Sequence, residues 1–78
     1  MHIVIKGCNS ISEYKEKRMK LTELAESAYN AHKSAFDNWN KGEPIKAWED
    51  GEGCLCIKYE NGEWWHYSGN NENGFKWW

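Results

Sequence analysis

His32, His66 and the pair Cys54-x-Cys56 are the side chains in this sequence whose types and spacing bear most directly on chemistry. Two imidazoles that meet can serve as general acid and general base, as phosphodiester cleavage requires, with Tyr14 or Tyr59 as an assisting hydroxyl. His32 falls on an apolar helical stripe and His66 on the expected inner face of a sheet, so the two are placed to approach each other. The plainer reading is a core histidine hydrogen-bonded to a tyrosine or a backbone carbonyl. No nucleophile, oxyanion site or substrate pocket accompanies the pair, so no catalytic set is expected and the chain does not read as an enzyme.

Cys54-x-Cys56, with Cys8, His2 or His66, has ligand types suited to zinc. Its single-residue spacer is not that of a zinc knuckle, and the expected register sets His66 on the opposite sheet face from both thiols. Half-buried strand cysteines are the preferred reading, and neither a metal nor another cofactor is expected. Gly51-Glu52-Gly53 leads into a strand rather than a helix, so it is no phosphate cradle. Lys15, Lys17, Arg18 and Lys20 alternate with Glu13 and Glu16 at helical spacing, which describes a solvated face.

The other chemical resource is aromatic. Six Trp, four Tyr and two Phe stand among 78 residues. A chain this short forms one domain, residues 1–78, and needs a staple, a partner or a rich core. Each buried ring removes on the order of 150–250 Å² from water, so a handful can hold such a domain together. Charge is uneven: residues 1–42 carry seven basic and five acidic side chains, residues 43–78 three basic and seven acidic. The aromatic half is thus the acidic half, which argues against nucleic acid as a partner. An odd number of cysteines, an opening "MHIVIKG" too short for a signal peptide's apolar region, and no apolar run of transmembrane length give a cytoplasmic expectation with free thiols and no membrane.

These residues need elements to position them. "HIVIK" is a short β-branched run ended by Gly7. Ser10 with Glu13 is a capping-box pattern that starts a helix. Ile11, Tyr14, Leu21, Leu24, Ala25, Ala28, Tyr29, His32, Ala35, Phe36 and Trp39 then recur with helical period, and Lys41-Gly42 before Pro44 supplies an end. A helix over 11–40 is longer than the strands it would cover, so it must overhang the sheet or break, with residues 17–21 as the candidate bend. Beyond Pro44, "PIKAW", "CLCIKYE", "EWWHYS" and "FKWW" read as strands separated by "EDGEG", "NG" and "GNNENG". The expected fold is α+β, in the order β-α-β-β-β-β, with a long amphipathic helix on one face of a mostly antiparallel sheet and strand 1 at its centre or edge.

Asn61-Gly62 suggests a two-residue type I′ hairpin. That register pairs Tyr59 with Trp64 and Cys56 with Tyr67. It sends Leu55, Ile57, Tyr59, Trp64 and His66 inward and Cys54, Cys56, Lys58, Trp65 and Tyr67 outward. An odd-length turn in "EDGEG" adds Ile45 and Ala47 to the inner face and Lys46 and Trp48 to the outer. The outer face is then expected to carry Lys46, Trp48, Lys58, Trp65, Tyr67 and Trp78, the candidate binding residues. Uncovered aromatic patches mark interaction sites, and Trp and Tyr carry much of the binding energy at interfaces. The alternative is structural, since cross-strand ring pairs stabilise hairpins by themselves. The sequence therefore points to a small non-catalytic binding protein, an adaptor, inhibitor or self-associating module, whose partner is another protein or a second copy in a homodimer. Stacking on sugars or single-stranded bases is the alternative, and a small hydrolase or nuclease built on His32 and His66 the second.

Overall fold

The computed structural model describes residues 1–70 and 72–78; Asn71, in the "GNNENG" segment, lies outside the described residues. The elements follow in the order β1 (His2–Ile3), α1 (Ile11–Ser34), β2 (Pro44–Glu49), β3 (Leu55–Tyr59), β4 (Trp64–Asn70) and β5 (Gly74–Trp77). The fold is α+β: one helix lies against a five-stranded sheet whose spatial order is the sequence order. β1 runs parallel to β2 at the edge, and the remaining neighbours are antiparallel.

The helix starts where Ser10 and Glu13 indicate. The Ser10 hydroxyl accepts from the Glu13 amide at 3.1 Å, and the Glu13 carboxylate accepts from the Asn9 amide at 3.2 Å. This satisfies amides that have no intrahelical partner. Residues 17–21 contain no break. At about 1.5 Å per residue the 24-residue helix is about 36 Å long, and its first three turns project past the sheet instead: apart from Glu13, residues 11–20 are all exposed. The helix also ends sooner than expected, at Ser34 with Ala35 as its cap. The chain then turns so that the Trp39 indole donates to the Gly42 carbonyl at 2.8 Å and packs edge-on against Tyr29, His32 and Tyr59. Continuing the helix to residue 40 would forfeit that packing.

The largest departure is the register of the β3–β4 hairpin. Leu55 pairs with Tyr67, Cys56 with His66, Ile57 with Trp65 and Lys58 with Trp64. The connection is a three-residue loop, Glu60-Asn61-Gly62: the Tyr59 amide donates to the Glu63 carbonyl at 2.9 Å and the Gly62 amide to the Tyr59 carbonyl at 3.0 Å. A type I′ turn needs positive φ at both central residues, and only Gly62 has it, at 91°. The arrangement is the three-residue hairpin in which a left-handed glycine follows a tight turn. The segment before β2 clamps it there. Asn61 and Glu60 donate their amides to the carbonyls of Lys41 and Glu43, and Glu60 Oε1 accepts from the Glu43 amide at 2.7 Å. The β2–β3 connection repeats the device, with Asp50 pairing to Cys54 around Gly53 at φ 83°.

A one-residue slip moves every side chain of a strand to the other face. Trp65 and Tyr67 therefore lie inside, and Trp64 and His66 outside, the reverse of the sequence expectation. The core beneath α1 is built from Leu21, Ala25, Ala28, Ala47, Leu55, Ile57, Tyr59 and Tyr67, with Trp39, Trp65, Phe75 and Trp77 packed against it. The exchange puts two large rings with polar handles where the helix covers them. Ala47 is buried as expected. Ile45 is not, because a bulge between Pro44 and Lys46 interrupts the alternation and leaves it exposed.

Candidate functional site

The outer face of the sheet carries a continuous row of rings. Trp48, Cys56 and His66 lie directly opposite one another on β2, β3 and β4. Trp64 and His66, two residues apart on β4, point to the same side. The Trp48 and Trp64 centroids are 5.7 Å apart and tilted at 43°, and those of Trp64 and His66 are 4.9 Å apart at 50°. His66 exchanges both backbone hydrogen bonds with Trp78, so their side chains also neighbour each other, stacked at 5.2 Å and within 5° of parallel. Lys46 Nζ stands 5.3 Å from the Trp48 ring centre, a cation–π distance. Lys58, between Lys46 and Trp64 in the ladder, is exposed. Trp64 and Trp78 are 52% and 55% exposed. No element among the described residues packs over this side.

Of the residues expected on this face, Lys46, Trp48, Lys58 and Trp78 are there. Trp65 and Tyr67 are not; they belong to the core. Trp64 and His66 take their places, so the surface keeps its chemistry of indoles beside lysines with two members exchanged. A signal for this was present in the glycine positions. Asp50-Gly51-Glu52-Gly53-Cys54 and Tyr59-Glu60-Asn61-Gly62-Glu63 both set glycine fourth of five, and both close as three-residue loops.

The register also separates the two histidines. His32 is fully buried beneath the helix, stacked on Trp77 at 4.5 Å and edge-on to Trp65 and Tyr67. His66 is on the other side of the sheet. They share no cleft, and the acid–base pair considered from the sequence does not form. His32 instead ends a buried chain of polar groups. Its Nδ1 is 2.7 Å from the Tyr67 hydroxyl, which also bonds the Tyr59 hydroxyl. Burial, and then the charge of Lys41, hold the His32 pKa down at about 4, with Glu63 acting weakly the other way. Its Nε2 has no hydrogen-bond partner among the described residues, so a proton on that nitrogen finds no acceptor. Burial likewise lifts the Tyr59 hydroxyl to about 12 and raises Tyr67 further.

Lys41 is a second buried polar anchor. Its ammonium lies 5.4, 5.8 and 5.3 Å from the ring centres of Phe36, Trp39 and Trp65 and 3.3 Å from a Glu63 oxygen. Three ring faces and one carboxylate compensate a cation that is only 8% exposed. Glu63, half exposed, has its pKa lowered by the Asn61 side chain and then by Lys41. The pair fastens the Glu60–Gly62 loop to the chain before β2, and so helps fix which tryptophan faces outward.

The three cysteines are unbridged. Cys56 is fully buried although its side chain belongs to the outer face, because Trp48 and His66 flank it. Burial first, then Asp50 and Cys54, push its pKa up to about 11, which makes it a poor nucleophile. His66, expected on the face opposite this thiol, is instead its neighbour. A cleft of about 480 Å³ opens at the overhanging end of α1, lined by Leu21, Leu24 and Leu55 with Lys6, Lys17, Lys20, Glu49 and Asp50. Charges of both signs meet there, and no convergent donor set marks it for one ligand. No helix among the described residues is long and apolar enough to cross a membrane. Compared with known proteins, the chain matches no family model, no curated protein and no solved structure.

Proposed function

We propose that this protein is a small non-catalytic binding module that acts through the outer sheet face, with Trp48, Trp64, His66 and Trp78 as its rings and Lys46 and Lys58 as its charges. One observation carries the reading: Trp64 and Trp78 are each more than half exposed beside further rings, on a side of the sheet that no element of the described chain covers. Exposed indoles cost solvation, and a contiguous group of them is the usual mark of an interface. The tilts of 43° and 50° around Trp64 make a notched surface rather than a flat stacking platform. A notch suits the side chains of a protein partner, and a second copy related by two-fold symmetry would cover the same patch. The unbridged thiols fit the reducing cytoplasm as its location.

The test is Trp64→Ala, with light scattering and an unbiased pull-down as readouts. Trp64 is more than half exposed and touches other rings only at the surface, so the variant should keep its stability to within about 1 kcal/mol while self-association or partner capture is lost. Trp65→Ala should instead cost about 3–5 kcal/mol in urea unfolding, as core indoles do. A Trp64→Ala chain that keeps every association of the parent refutes the proposal. Quenching of tryptophan fluorescence by glycans or single-stranded oligonucleotides, abolished in Trp64→Ala, would transfer the face to the stacking alternative.

A further inference from the structure

Asp50, Cys56 and His66 come from three separate stretches: the loop after β2, the middle of β3 and the middle of β4. Their ligand atoms all lie within 4.8 Å of one another. We infer that this cluster is a binding site for a divalent transition-metal cation, zinc foremost, held by the Cys56 sulfur, a ring nitrogen of His66 and the Asp50 carboxylate.

The donor set is the first argument. Thiolate, imidazole and carboxylate together suit zinc; sites for magnesium or calcium are built from oxygen alone. The support around each donor is the second. Asp50 Oδ1 accepts the amides of Glu52 and Cys54, both at 2.9 Å, which fixes the carboxylate and leaves Oδ2 free to face the cluster. His66 is held between the Trp64 ring and the parallel Trp78 ring. Cys56 has only a distant contact, 4.0 Å from its sulfur to the Cys54 carbonyl. Orienting contacts of this kind are what metal ligands require beyond their own identity.

The spacing is the third argument. His66 Nε2 and Asp50 Oδ2 are 3.9 Å apart, too far for a hydrogen bond. Two ligands of one tetrahedral zinc are separated by about 3.4–3.6 Å, so no pair in the cluster needs to close by more than about 1.4 Å. Side-chain rotation can supply this, because Asp50 and His66 are both partly exposed while Cys56 forms the buried floor. Binding converts the Cys56 thiol to a metal thiolate and releases its proton to solvent. Three protein ligands leave the fourth position open on the exposed side. The register that removed His66 from His32 is what brings it to Cys56. The assignment does not depend on whether the surrounding face docks a partner.

Cobalt(II) is the probe, added to the reduced chain carrying Cys8→Ser and Cys54→Ser, so that Cys56 is the sole thiol. One equivalent should bind with a thiolate-to-cobalt charge-transfer absorption, and zinc should displace it. In the same background, His66→Gln and Asp50→Asn should each weaken binding more than about tenfold, with circular dichroism confirming that both remain folded. No charge-transfer band in the folded sole-thiol chain overturns the assignment, whether or not the parent chain shows one. A band that His66→Gln leaves unchanged overturns it equally.

Discussion

Acidification should destabilise this protein through His32 before its carboxylates begin to protonate. The imidazole is fully buried, and its pKa is held at about 4 against an ordinary 6.5. Between those two values the unfolded chain carries the proton and the folded chain does not. The unfolded state therefore binds more protons, and stability rises with pH across the window. The contribution is complete above pH 6.5 and is lost progressively as pH falls toward 4. The gap corresponds to about 3 kcal/mol in full, of which about 2 kcal/mol should disappear between pH 6.5 and 4.5. The groups facing the ring account for the direction. The Tyr67 hydroxyl occupies Nδ1, the Lys41 ammonium opposes a second cation, and Glu63 alone favours one. Glu13 and Glu63, whose pKa values are lowered, act in the same sense but below the usual carboxylate value of 4.5. Urea unfolding at several pH values between 4.5 and 7, on the parent and on His32→Gln, isolates the histidine. The glutamine amide can still hydrogen-bond Tyr67 but does not titrate, so the variant, whatever its absolute stability, should show a flatter dependence. Equal slopes in the two proteins would refute the reasoning, as would a folded-state titration of His32 by NMR with its midpoint near 6.5.

Two further perturbations address the polar core and the edge hairpin. Tyr67→Phe removes the hydroxyl shared by Tyr59 and His32 and strands two buried groups, so chemical denaturation should show a loss of about 2–4 kcal/mol. Gly69→Ala should cost roughly 2–3 kcal/mol or more in thermal or urea unfolding, because its φ of 119° disfavours a side chain and an added Cβ would overlap the Gly74 carbonyl on β5.

The sequence by itself determined the element types, their order and one buried face of the helix, because each is written in local signals. Ser10 and Glu13 mark a helix start whichever sheet lies below it. Alternation in "CLCIKYE" marks a strand whatever its partner. Lys46 and Trp48 were assigned to the outer face because an odd-length turn within "EDGEG" sets their parity, and Lys58 and Trp78 by alternation within their own strands. A core histidine bonded to a tyrosine or a backbone carbonyl was legible for His32 from its place on the apolar stripe, and the structure supplies Tyr67 as the partner.

Which of two adjacent tryptophans entered the core was left to tertiary structure. Glu60-Asn61-Gly62 supports either a two-residue or a three-residue turn, and the two differ only in the local backbone conformation of Glu60 and Asn61. The choice was made by contacts distant in sequence. Lys41 and Glu43 bind the loop's backbone, Lys41 Nζ reaches Glu63, and the rings of His32 and Trp39 leave room beneath the helix for Trp65 and Tyr67. Parity propagates along a strand without loss, so that single choice placed Trp64 and His66 on the open face and assembled Asp50, Cys56 and His66. Local propensity is short-ranged, whereas the face a strand presents is settled by the packing of the whole domain.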